Sequence, residues 1–65
     1  MTQPNIGPRV KKIRLKRGLT HEQLAAAVGL TRTAISYIEA KGSTSLAVLY
    51  RLADALGVRP GDLLR

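Results

Sequence analysis

The clearest pattern of apolar and polar positions covers residues 20–39, THEQLAAAVGLTRTAISYIE, and predicts two short helices joined by a tight turn. In the first of these helices, Thr20 and Gln23 have the spacing of a capping box, in which each side chain bonds the other residue's backbone N–H. Apolar residues then recur one helical turn apart, at Leu24 and Val28. Gly29 stands where a residue in the left-handed conformation usually ends a helix, so we expect the turn there.

The second predicted helix, residues 31–39, has one apolar and one polar face. Thr31 is its expected N-cap. At about 100° per residue, the apolar side comprises Ala34, Ile35 and Ile38. The opposite side carries hydrogen-bonding groups: Arg32, Thr33, Ser36 and Tyr37. A helix needs such a face to enter the major groove of DNA and contact base edges, although ordinary surface helices of small bundles also have polar outer faces.

The remaining periodicity predicts three more helices. After a mobile tail over residues 1–5, Asn5 can cap a first helix that runs to about Arg17 and ends at Gly18. Its buried stripe is Ile6, Val10 and Ile13. Residues 40–45, AKGSTS, are typical of a loop. Ser45 then caps a fourth helix that ends at Gly57 and points Leu46, Leu49, Leu52, Ala53 and Leu56 inward. Pro60 opens a last turn, in which Leu63 and Leu64 make apolar contacts.

No strand pattern or internal repeat occurs, so the sequence predicts an all-α, compact five-helix bundle over residues 6–65. A chain of 65 residues has room for one small domain. Such a domain buries only about 60% of its unfolded surface, which favours further stabilisation by dimerisation. The chain has no cysteine, and no apolar run approaches the length of a membrane span.

Eleven Lys and Arg against four Asp and Glu give the chain a net charge of +7. Such an excess favours a polyanion, most commonly nucleic acid, with an anionic membrane surface as the alternative. An enzyme is not expected, because the single histidine, His21, has no evident carboxylate and nucleophile arranged with it. No glycine-rich phosphate loop or acidic cluster indicates a cofactor, metal or small-molecule ligand.

Four segments together resemble the Cro and lambda-repressor-like helix-turn-helix domains, the XRE family. They are RGLTHEQLA (17–25), the Gly29 turn, TRTAISYIE (31–39) and SLAVLYRLADALGV (45–58). The resemblance extends from about Ile6 to Leu64. It implies a cytoplasmic, nucleoid-associated DNA-binding regulator of bacterial or phage origin, most commonly a repressor, which acts as a homodimer on a double-stranded operator with two-fold symmetry.

The resemblance also implies residue roles. The base-contacting positions of the family's recognition helix fall on Arg32, Thr33 and Tyr37, with Ser36 close by. The expected phosphate contacts are His21, Thr31, Lys41, Gly42, Ser43 and Arg17. Where most members have Gln at the start of the preceding helix, this chain has His21, which we expect to contact a phosphate and to brace the first recognition residue. The loop after the recognition helix is about one residue shorter than is usual and lacks a proline, which weakens the assignment of its phosphate contacts.

Two further roles are structural. Arg14 and Glu39 match positions that the family keeps as an ion pair between the first and third helices. The apolar residues near the C-terminus are the candidates for a dimer interface: Val58, Pro60, Leu63 and Leu64. Two alternative functions stay open, namely an antitoxin that binds both its operator and a toxin, and a protein-interaction module on the same fold. The polar outer face of helix 31–39 favours DNA, because a protein-docking face more often exposes Leu, Phe or Met.

Overall fold

A computed structural model of the chain describes residues 5–64. They form five helices, α1 (Gly7–Lys16), α2 (His21–Val28), α3 (Arg32–Lys41), α4 (Leu46–Leu56) and α5 (Pro60–Leu63). The predicted all-α bundle is confirmed, and residues 5–64 contain no strand. Of the predicted tail, only Asn5 belongs to the described residues. Within this range, no helix has both the length and the apolar character that crossing a membrane requires.

Local hydrogen bonds fix the helix starts as the sequence predicted. The side chains of Thr20, Thr31 and Ser45 accept the backbone N–H three residues on, at 3.1, 3.1 and 3.3 Å. Thr20 N–H donates in return to Gln23 Oε1 at 2.9 Å, which completes the capping box. Gly29 ends α2 with a φ of 72°, a conformation that favours glycine. The turn between α2 and α3 is therefore defined on both sides.

One hydrophobic core joins all five helices. Its buried members are Ile6, Val10, Leu24, Ala25, Val28, Ile35, Ile38, Leu49, Leu52, Ala53, Leu56 and Leu63. α3 packs between α1 and α2, whereas α4 packs on α2 and on α5. The inner face of α3 is thus anchored on two helices, and its outer face is left to solvent.

Three details of the sequence prediction were wrong. Helix α3 continues through Ala40 and Lys41, because both residues are good helix formers and Gly42 is the first residue that stops the helix. The assigned N-cap of α1 is Ile6, although the Asn5 side chain does accept the Gly7 N–H at 3.0 Å. Leu46 is 62% exposed, since it lies in the first turn of α4 and well off the direction in which the later leucines point.

The start of α1 and the end of α3 approach each other backbone to backbone. A Cβ on Gly7 would overlap the carbonyl oxygen of Glu39 and lie 2.9 Å from that of Ile38. At Gly42, where φ is 73°, the N–H donates to Ile38 O at 2.7 Å and the carbonyl accepts from Ile6 N at 3.2 Å. These contacts require glycine at both positions and hold α3 at its C-terminal end.

We predict that Gly7→Ala lowers the free energy of unfolding by about 1–3 kcal/mol, because the added methyl group meets backbone atoms that cannot turn away. The matched control is Gly61→Ala in α5, where a Cβ would have nothing within 4 Å. That change is expected to be neutral or stabilising by about 0.5 kcal/mol. Urea denaturation of the three proteins measures both effects. Equal losses in the two variants would contradict a close approach specific to Gly7.

Candidate nucleic-acid interface

The outward face of α3 presents three of the four predicted base-contacting side chains to solvent. Arg32, Thr33 and Tyr37 are exposed, and Tyr37 is exposed by 58%. Directly opposite, Ile35 and Ile38 are buried in the core. Because α3 is packed on the core by its apolar side only, its polar side can enter a major groove of DNA without any part of the domain unfolding.

An open groove of about 550 Å³ runs along one side of this face. It lies between α3, the loop after α3 and the first turns of α4. Its lining includes four of the predicted contact residues, Thr31, Thr33, Tyr37 and Ser43. The structure therefore brings together two predicted base contacts and two predicted phosphate contacts from two segments, α3 with its N-cap and the loop that follows it.

Ser36 lies on the other side of α3 and is only half exposed. It lines a smaller depression of about 220 Å³ with Lys11, His21, Glu39 and Ala40. Lys11 was not singled out from the sequence, because it is one of three lysines in α1 and no motif distinguishes it from Lys12 and Lys16. Its position beside α3 distinguishes it from the other lysines of that helix.

The Glu39 carboxylate is the point at which α1, α2 and α3 meet. Arg14 Nε donates to Glu39 Oε2 at 2.7 Å, and Arg14 Nη2 donates to Glu39 Oε1 at 3.3 Å. The remaining guanidinium nitrogen, Nη1, donates to the carbonyl of Leu19 at 2.8 Å. The Arg14 and Glu39 side chains are each only 7% exposed, so the ion pair predicted from the resemblance is present and buried.

His21 also contacts this carboxylate, which the sequence did not predict. Its Nε2 lies 3.0 Å from Glu39 Oε1. His21 therefore does have a carboxylate beside it, although the sequence showed no evident carboxylate and nucleophile arranged together with it. Its expected contact with the first residue of α3 stays a prediction. Because Nε2 is engaged by Glu39, only Nδ1 is left to meet a phosphate.

Opposing effects act on the pKa of Glu39. Burial alone raises this pKa, but the hydrogen bonds from Arg14 and His21, together with their charges, outweigh it and hold the pKa below its usual value. Glu39 is therefore a carboxylate throughout the neutral range. Its charge is what keeps the buried guanidinium of Arg14 compensated.

The residue that does lie beside the first residue of α3 is Glu22. Arg32 Nε is 3.2 Å from Glu22 Oε1, and both side chains are 69% exposed. No sequence signal indicated this pair, because its members are ten residues apart and on different helices. The geometry of the α2–α3 turn alone brings them together.

One of the predicted phosphate contacts, Gly42, needs revision. The backbone of Gly42 is buried, and its N–H and carbonyl are both used within the fold, so this residue is a helix stop and is not available to a phosphate. Arg17 is exposed, and its guanidinium lies beside Gly57 at the C-terminal end of α4, where the helix dipole attracts a cation. Lys41 and Ser43 are exposed at the end of α3 and in the following loop.

Of the four predicted dimer contacts, one is buried inside the domain and three are at least partly exposed. Leu63 is 0% exposed and belongs to the core of its own bundle, so it cannot form a contact between subunits. The sequence placed it outside because α5 is too short to show a periodicity. Val58 and Pro60 are partly exposed, and Leu64 is 44% exposed.

Within residues 5–64, no group of three or more His, Asp or Glu side chains is close enough to hold a metal ion.

The sequence matches the helix-turn-helix family model over residues 10–63. The chain belongs to this helix-turn-helix family. It is 43% identical to the control protein C.BamHI of Bacillus amyloliquefaciens, in an alignment that covers 89% of this chain and 74% of that protein. The restriction-modification controller protein C.AhdI of Aeromonas hydrophila has a similar structure, with a TM-score of 0.84, 34% identity and 91% of each chain covered.

A second similar structure is the P22 c2 repressor in complex with a synthetic operator. It superposes with a TM-score of 0.86 and 31% identity over 98% of this chain and 97% of that one. The resemblance stated from the sequence is thus confirmed in both sequence and fold. The range matched by the family model, residues 10–63, includes the Arg14–Glu39 pair and the whole of α2 and α3.

We predict that Glu39→Gln destabilises the helix-turn-helix domain by about 3 kcal/mol at pH 7, since it leaves the buried Arg14 without a counter-charge. The folded-state pKa of Glu39 is lowered, so its contribution is complete above the unfolded value of about 4.3 and is lost as the pH falls through the folded value. The difference in unfolding free energy between wild type and variant should therefore shrink below about pH 4.

Glu22→Gln is the control, because it removes a carboxylate that is largely exposed and should change stability by less than about 1 kcal/mol. Denaturant unfolding at a series of pH values measures both variants. A Glu39→Gln deficit that is small at pH 7, or that stays the same at pH 3, would contradict the assigned role of the carboxylate.

Proposed function

We propose that this chain is a sequence-specific, double-stranded-DNA-binding transcription regulator that acts as a repressor by occupying a promoter. The observation that carries the proposal is the exposed polar face of α3, with Arg32, Thr33 and Tyr37, on a helix whose other side is fixed to the core. The net charge of +7 supports a polyanionic partner. A regulator of this kind works on the nucleoid, in the cytoplasm.

The relatives support the same function. The P22 c2 repressor is described in complex with an operator, and two similar proteins are described as a control protein and a restriction-modification controller. No metal or cofactor is needed for such a role. It requires only that the protein bind one duplex more tightly than the others.

In this proposal α3 enters the major groove by its N-terminal end, which brings Arg32 nearest to the bases. Its guanidinium can donate two parallel hydrogen bonds to O6 and N7 of a guanine. Thr33 can offer its methyl group to a thymine, and Tyr37, one turn further on, can reach a base or a neighbouring phosphate. Ser36 is half-buried, so we assign it only a contact at the margin of the base-reading face.

Phosphates on either side of the groove are assigned to side chains around α3. Thr31 Oγ1 accepts the Ala34 N–H at 3.1 Å, which leaves its own hydroxyl hydrogen free to donate to a phosphate. Lys41 lies at the far end of the same helix, and Ser43 lies in the loop that follows it. His21 would use Nδ1, and Arg17, beside α4, would reach a more distant phosphate of the same duplex.

We further propose that two copies bind one operator with two-fold symmetry, with half-sites about one helical turn, roughly 34 Å, apart. The apolar residues left at the surface near the C-terminus are Val58, Pro60 and Leu64. Such a patch is small, so the dimer is expected to be weak in solution and to form chiefly on DNA.

Selection of duplexes from a random pool, followed by affinity measurements on the preferred operator, tests the function. We predict that Arg32→Ala costs about 1–3 kcal/mol on this operator and relaxes selectivity at one guanine. Lys41→Ala is the comparison, because loss of a phosphate contact should weaken binding to all sequences about equally and flatten the slope of log K against log salt by about one.

If Arg32→Ala weakened every sequence equally and kept the same base preferences, Arg32 would be a phosphate anchor and our assignment would be wrong. If no duplex were enriched from the pool, the proposal of sequence-specific DNA binding would itself fail. A protein-docking role for the exposed face of α3 would then become the better explanation.

The dimer is tested by sedimentation of the protein with a duplex that carries one symmetric site. We predict two protein chains per duplex at saturation, and a weaker second binding step for Leu64→Asp, which places a charge in the apolar patch. Leu15→Asp, on exposed α1, is the control and should leave the stoichiometry unchanged. A strict one-to-one complex at saturation would contradict the dimer.

A further inference from the structure

Glu22 is a carboxylate in a place where the proposed function disfavours one. It lies in the first turn of α2, and its Oε1 is 3.2 Å from Nε of Arg32, the residue that we assign to a guanine. A carboxylate on a DNA-facing surface repels phosphates and so weakens binding to every duplex.

The other three acidic residues of the chain lie elsewhere. Glu39 is buried with Arg14 and His21. Asp62 Oδ2 accepts the backbone N–H of Arg59 at 3.0 Å, at the start of α5. Asp54 is exposed on α4. Within residues 5–64, Glu22 is the acidic residue that forms an ion pair with the proposed base-reading face.

The contact with Arg32 is made at one side of the guanidinium. The atom of Arg32 that lies 3.2 Å from Glu22 Oε1 is Nε, so an ion pair made there does not need the two terminal nitrogens, Nη1 and Nη2. Those two atoms can donate the parallel pair of hydrogen bonds that the O6 and N7 of a guanine accept. Without Glu22, an exposed arginine would sample many rotamers, and most of them would not present this pair.

We propose that Glu22 is a positioning residue for base recognition, which holds Arg32 in the end-on orientation that reads a guanine and withholds it from phosphates. This inference rests on the proposed function. At the exposed surface of the free protein such an ion pair contributes little to folding stability. When α3 lies in a major groove and water is displaced, the same pair becomes stronger, because the local dielectric constant falls.

The effect of Glu22 is consequently different on the two kinds of duplex. On the preferred operator, the carboxylate and the guanine bind opposite parts of one guanidinium and support each other. On other sequences there is no guanine to complete the arrangement, and Arg32 must leave Glu22 to reach a phosphate. Glu22 thus lowers affinity for unrelated DNA more than for the operator, which is how a repulsive element creates specificity.

The test compares wild type, Glu22→Gln, Arg32→Ala and the double variant. Each is measured at one salt concentration on the selected operator, on operators with each base replaced at the Arg32-dependent position, and on an unrelated duplex. For Glu22→Gln we expect affinity for the unrelated duplex to rise, and discrimination at that one position to fall by about fivefold. In the Arg32→Ala background, Glu22→Gln should no longer change discrimination there.

Asp54→Asn is the matched control, because it removes the same charge from the exposed surface of α4. It should leave base preferences unchanged at every position. Two results would overturn the proposal. If Glu22→Gln shifted all duplexes equally, Glu22 would act only through its charge. If the loss of discrimination persisted without Arg32, Glu22 would itself read a base, for which the N4 amino group of a cytosine is the suitable partner.

A measurement without DNA separates this inference from the proposed function. In the free protein, the ¹⁵Nε–H resonance of Arg32 should shift and exchange faster with solvent in Glu22→Gln, and should be unaffected in Asp54→Asn. An Arg32 Nε–H that is indifferent to Glu22 would refute the positioning role even if the operator were bound as proposed. If the Arg32 Nε–H responded to Glu22→Gln but the protein selected no duplex, the proposed function would be refuted, whereas the contact between Glu22 and Arg32 would be supported.

Discussion

The orientation of α3 depends on one buried carboxylate. Glu39 accepts hydrogen bonds from Arg14 of α1 through both of its oxygens and contacts His21 of α2 through Oε1. The hydrophobic core alone would allow α3 to slide or rotate, since apolar contacts have little directional preference. A carboxylate that must satisfy a buried guanidinium allows much less freedom, because a small displacement leaves a charge without its partner.

The two ends of α3 are consequently unlike. Its C-terminal half is held by Glu39, by the backbone contact at Gly7 and by the hydrogen bonds of Gly42. The N-terminal end has a well-defined backbone, fixed by Gly29 and by the Thr31 cap, but its side chains are exposed. This division suits a reading helix: the polypeptide is held rigidly where it joins the body, and the side chains that must meet an external surface are left free of the core.

Much of this could be predicted from the sequence, because the relevant signals are local. Threonine and serine caps, glycine stops and apolar stripes act within four residues, and the structure has them where the pattern indicated. The predictions failed where an interaction joins segments far apart in the chain. Leu46 was counted in the apolar stripe of α4 but lies off the direction of the later leucines and is exposed, whereas Leu63 in a four-residue helix is enclosed by helices that the local pattern could not place.

The charged residues show the same limit. The Arg14–Glu39 pair was accessible only through the family resemblance, and nothing in either the pattern or the family positions assigned His21 to the same carboxylate. Glu22 looked like an ordinary first-turn acid, a residue type favoured there by the helix dipole. Its second role depends on the angle between α2 and α3, which neither periodicity nor composition specifies.

Net charge explains attraction to DNA but not choice among sequences. Seven excess positive charges favour every duplex, and more cations would strengthen specific and non-specific complexes together. Selectivity must come from groups whose energies differ between the right and the wrong duplex. An arginine held by a carboxylate is such a group, since it is oriented for a guanine and is withdrawn from a phosphate. An acidic residue on a basic reading surface therefore lowers total affinity while it increases the difference between sequences, and that difference is the property on which a regulator depends.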